Sequence, residues 1–81
     1  MENEKYKLEI VRLGLLIKEL RLKEKITQEQ LSRLCNVDVR TIQRIEKGQQ
    51  NITISLLFSI SDSLKIESSV LIGKIFFENP Q

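Results

Sequence analysis

Apolar residues recur along this chain at helical rather than strand spacing. Ile10, Leu13, Ile17 and Leu20 form one stripe and predict a first helix over about 6–24. A second helix is predicted over 28–35. Thr27 precedes it and Gln30 comes three residues later, the signature of a capping box. Leu31 and Leu34 are read as its inward residues. Asn36-Val37-Asp38 breaks the pattern: Asn tolerates a left-handed backbone, and Asp38 can cap the next helix. A third helix then runs from Val39 to Glu46 or Lys47, with Gly48 as its C-terminal stop. A fourth is predicted over 53–64 and a fifth over 68–77, the latter capped by Ser68 or Ser69 and stopped by Pro80. The pattern is that of one all-α domain over 1–81.

The first and fifth helices carry more apolar residues than one core stripe uses. Leu8, Val11, Leu15 and Leu22 lie nearly opposite the Ile10–Leu20 stripe. In the fifth helix Leu71, Ile72, Ile75 and Phe76 share one broad side, and Val70 and Phe77 lie on the other. A short helix that is apolar all round is buried all round, and a leftover apolar patch marks an interface. The expectation is a symmetric homodimer built on the fifth helix with parts of the first and fourth, through Leu57, Phe58, Val70, Leu71, Phe76 and Phe77. The competing arrangement has the N-terminal extension folding back over the fifth helix within one chain.

Composition narrows the class. Eighty-one residues allow one domain and one small core. With 3 Gly and 1 Pro, turn-rich β folds are disfavoured. One Cys and no His exclude an intramolecular disulfide, multi-Cys zinc sites and the common Ser–His or Cys–His machinery. No nucleophile–base pair or phosphate loop is visible, so neither an enzyme nor a cofactor is expected. Cys35 falls on the buried side of the second helix and reads as a small core residue. The N-terminus lacks signal-peptide character, and no apolar run approaches the ~18 residues of a membrane span. The expected location is cytoplasmic, with Cys35 reduced.

The net charge is only +2, but it is unevenly placed. Residues 1–17 balance, residues 18–51 carry eight bases against five acids, and residues 52–81 are net −1. The positive excess therefore coincides with the two short helices and their three-residue turn, a helix-turn-helix arrangement. In the third helix Thr41, Ile42 and Ile45 fall on the inner side. Arg40, Gln43, Arg44 and Lys47 fall on the outer side, with Val39 at its N-terminal edge and Glu46 turned back. Arg suits guanine, Gln adenine, and a small apolar side chain the thymine methyl. Any surface helix also has a solvated polar face. Taken alone the octamer reads as such a face; the features that flank it favour base reading.

The stretch TQEQLSRLCNVDVRTIQRIEKG (27–48), preceded by Leu13-Gly14, Ile17 and Leu20-Arg21, resembles the Cro/repressor-type (Xre-like) helix-turn-helix family. The resemblance spans roughly residues 10–66. It implies a five-helix, lambda-repressor-like DNA-binding domain. It also implies that Ser32 lies where helices two and three touch, and that Asn36 stands where the family usually has Gly. By the same likeness, Val39, Arg40 and Arg44 match base-contacting positions, and Gln43 reaches either bases or backbone. Gln28 matches a residue that binds a DNA phosphate and braces the recognition helix; Lys47 and Asn51 lie near the phosphate backbone. Arg21 and Glu46 match a structural ion pair between the first and third helices. The short single-domain form and the stretch Asn51–Leu56 look like the controller proteins of restriction-modification systems, a scaffold shared with phage-type repressors and antitoxins.

The expected function is a transcriptional regulator specific for a double-stranded DNA sequence, acting as a homodimer on a palindromic operator. It would block or recruit RNA polymerase, with no membrane partner. The alternative is a protein-binding module such as an antitoxin that also regulates its own synthesis.

Overall fold

A computed structural model describes residues 5–77 of the chain, apart from the side chain of Phe77. The interface role expected of Phe77 and the helix stop expected at Pro80 lie outside the described residues. Among those residues five α-helices follow one another: α1 (Lys7–Lys23), α2 (Gln28–Cys35), α3 (Val39–Glu46), α4 (Ile54–Ser63) and α5 (Ser68–Phe77). The all-α fold read from the sequence is the one observed. No helix among the described residues is long and apolar enough to cross a membrane.

Local chemistry sets the helix starts. Thr27 Oγ1 accepts from the Gln30 backbone N–H at 3.0 Å, and Gln30 Oε1 accepts from the Thr27 N–H at 2.7 Å, closing the capping box of α2. Asp38 accepts from the Arg40 N–H at the start of α3, and Thr53 from the Leu56 N–H at the start of α4. The start of α5 differs from expectation. Ser68 is already helical, and the Glu67 carbonyl accepts from the N–H groups of Val70 and Leu71. Neither serine therefore occupies the cap position.

The helix ends share one device. Lys25, Asn36, Gly48 and Lys65 have φ of 61°, 56°, 72° and 60°. Each donates its N–H to the carbonyl three residues back, and the following residue donates to the carbonyl five back: Ile26 to Arg21, Val37 to Ser32, Gln49 to Arg44 and Ile66 to Ser61. These are Schellman ends for α1 to α4. In three of them the following residue, Ile26, Val37 or Ile66, is apolar and packs against the core, so each turn drives the chain inward as it reverses.

α1 packs against α3 and α5, α2 against α3 and α4, and α4 against α5. Ile17, Leu31, Cys35, Ile42, Ile45, Ile60 and Leu64 form the central buried cluster. Leu34 does not join it. The short α2 buries the arc that carries Leu31, Ser32 and Cys35, and leaves Leu34 exposed. Leu57 and Leu71, expected at a dimer interface, are 7% and 0% exposed. Both are core residues within one chain, because the contact of α5 with α1 and α4 covers that side. The second stripe of α1 is otherwise open: Leu8, Leu15 and Leu22 are exposed. Val11 leaves it, turning half-buried beneath the loop after α3.

Candidate nucleic-acid interface

α3 carries its two faces cleanly apart. Ile42 and Ile45 are buried, and Arg40, Gln43 and Arg44 are exposed, as is Lys47 just past the helix end. Val39 is half-buried at the leading edge. Asp38 caps the helix from outside it, and Glu46, the one acid within α3, is buried. The outward face of α3 is therefore positive and amide-bearing, with no carboxylate to oppose a phosphate or a base acceptor.

Glu46 is held by two other elements. Arg21 of α1 donates from Nε to one carboxylate oxygen at 2.7 Å and from Nη2 to the other at 3.1 Å. Its Nη1 donates to the Ile26 carbonyl at 2.8 Å. Gln28, the first residue of α2, donates its side-chain N–H to Glu46 Oε1 at 3.0 Å. Glu46 thus ties α1, the start of α2 and the end of α3, and Arg21 adds the α1–α2 turn. Such a pair supplies orientation more than net stability, because desolvation offsets the Coulomb gain. Ser32 is buried in α2 and donates to the Glu29 carbonyl at 2.7 Å.

Glycine makes the α1–α3 crossing close. A Cβ on Gly14 would collide with the Ile45 carbonyl oxygen, so the α1 backbone runs directly against the end of α3. On the other side of the crossing, a Cβ on Gly48 would lie 2.7 Å from a Val11 methyl.

The structure brings together Gln28, Gln43, Glu46 and Lys47 around a shallow cleft of about 270 Å³ beside α3. Lys18 of α1 completes its lining. Lys18 was not among the residues expected at the site. It precedes Arg21 by three residues and so shares its side of α1, which was the available signal. Asn51 is exposed in the loop before α4. Val39, Arg40 and Arg44 lie on the helix surface rather than in the cleft.

A family model described as helix-turn-helix matches residues 17–71. Among solved structures, the restriction-modification controller protein C.AhdI from Aeromonas hydrophila is similar, with a TM-score of 0.74 and 29% identity. That match covers 76% of this chain and 94% of the other. No curated protein matches.

Proposed function

This chain belongs to the helix-turn-helix family, and on that premise we propose that it is a regulator that binds a specific double-stranded DNA sequence as a homodimer on a palindromic operator. The supporting observation is the exposed, acid-free face of α3, presented by a helix whose far end is clamped through Glu46. Arg40, Gln43 and Arg44 reach base edges in the major groove, with Val39 set against a thymine methyl. Gln28, Lys47 and Asn51 meet phosphates. Lys18 joins them, because the cleft it shares with Gln28 and Lys47 is polar, open and beside the reading helix. The likeness to a controller protein supports a regulatory outcome, in which an occupied operator blocks or recruits RNA polymerase.

Exposed Phe58, Val70 and Phe76 on the adjacent helices α4 and α5 supply the apolar surface for the homodimer. Two copies then present two α3 helices to successive major grooves. In vitro selection from random duplexes tests this reading. The enriched pool is expected to hold inverted half-sites centred about 34 Å apart, one turn of DNA, with affinity falling steeply with salt. A pool with no enriched sequence contradicts it.

A further inference from the structure

Leu8, Leu15 and Leu22 are each 57% exposed on the outward side of α1. They recur every seven residues, so they rise along the helix in steps of about 10.5 Å. A seven-residue apolar repeat suits a helix that pairs with another by left-handed winding. Leu15 is the midpoint of the row.

The charged flank of this row is ordered about the same midpoint. Arg12 lies three residues before Leu15 and Glu19 four after, both on the side of the row away from Gly14. Arg12 is fixed by donating from Nη1 to the Ile75 carbonyl at 3.2 Å, and its other N–H donors remain to be used. Glu19 is exposed and has no ion pair among the described residues. The opposite flank carries the exposed Lys18, which also lines the cleft beside α3.

We propose that the outward face of α1 is a second self-association surface, on which α1 of another copy lies antiparallel about a two-fold axis through Leu15. This arrangement sets Leu15 against Leu15 of the partner subunit, and Leu8 against Leu22 of the partner subunit on both sides of the axis. It also places Arg12 beside Glu19 of the partner subunit, twice. A parallel pairing would carry these residues to opposite flanks of the seam, so only the antiparallel form brings Arg12 to the partner's Glu19. Symmetry of both leucines and charges about one residue is what a second copy of this chain requires. The surface lies on α1, whereas the one described above uses side chains of α4 and α5. A chain with two isologous surfaces joins dimers to dimers.

Site-directed cross-linking tests the geometry without DNA, so its outcome is independent of the operator reading. Helices packed 8–10 Å apart bring facing Cα atoms on the axis to about 6 Å, within reach of a disulfide. Under mild oxidation Leu15→Cys alone is expected to form a cross-linked dimer several-fold faster than Leu8→Cys or Leu22→Cys alone. An equal mixture of the Leu8→Cys and Leu22→Cys proteins should cross-link well above either alone, to about half the extent of Leu15→Cys, because half of its pairs are mixed. Wild type, whose Cys35 is buried, gives the background. Sedimentation supplies the second readout. Phe76→Glu should still self-associate at high concentration, and adding Leu15→Glu should abolish that remaining association without lowering the melting temperature. Equal cross-linking at Leu8 and Leu15, or sedimentation indifferent to Leu15→Glu, overturns the proposal.

Discussion

Arg21 and Glu46, twenty-five residues apart in sequence, form a two-point ion pair in which both side chains are almost fully buried. Removing one partner strands the other charge away from water. Arg21→Ala should therefore lower the unfolding free energy by about 3–5 kcal/mol, read by urea denaturation. Replacing both, as Arg21→Met with Glu46→Leu, should recover much of that loss. It should also weaken DNA binding, because the end of α3 is no longer held to α1 and Gln28.

The contact of Gly14 with the Ile45 carbonyl makes a second position sensitive to a single methyl group. The obstacle is backbone, so the side chain cannot swing clear. Gly14→Ala should force α1 away from α3 and cost at least about 1–3 kcal/mol, despite the better helix propensity of Ala. Thermal melting of the variant checks it; an unchanged or raised midpoint would show that the helices are not so closely apposed.

Lys25 and Lys65 hold left-handed backbones that side chains resist by roughly 1–2 kcal/mol. Glycine relieves that strain but loses about 0.5–1 kcal/mol in unfolded-chain entropy. Lys65→Gly should thus stabilise the protein by a few tenths to about 1 kcal/mol, seen as a higher urea midpoint. Its neighbouring contact to Glu24, at 3.9 Å and well exposed, contributes little that could mask the gain.

Phe58, Val70 and Phe76 remain exposed after the chain has folded. Phe76→Glu should leave the monomer fold intact and shift sedimentation of the dilute protein from dimer to monomer. A wild type that is already monomeric at micromolar concentration would remove the basis for a homodimer on α4 and α5.

Residue patterns carried the fold well where one local rule decided the outcome. Thr27 with Gln30, Asn36 in its left-handed turn and the two faces of α3 are all visible from residue type and spacing. Where neighbouring helices decide, the pattern was insufficient. Leu34 and Leu31 look equivalent in sequence, yet only one arc of α2 meets α3 and α4. Leu57 and Leu71 read as surplus apolar residues until α5 closes over α1 and α4. The turns at Lys25 and Lys65 have no compositional signal, because lysine rarely takes a left-handed conformation. Lys18 joins the candidate site only because α1 crosses the end of α3 so closely at Gly14.

The central claim is that the exposed face of α3 reads bases while its surroundings hold phosphates. It is tested most directly by titrating wild type, Arg40→Ala, Arg44→Ala and Lys47→Ala against the selected operator and its single-base variants. Each arginine variant should lose about 1–3 kcal/mol on the selected site and become indifferent at one base pair, while Lys47→Ala weakens all sequences alike. If both arginine variants bind the operator with wild-type affinity and base preference, α3 does not read the sequence.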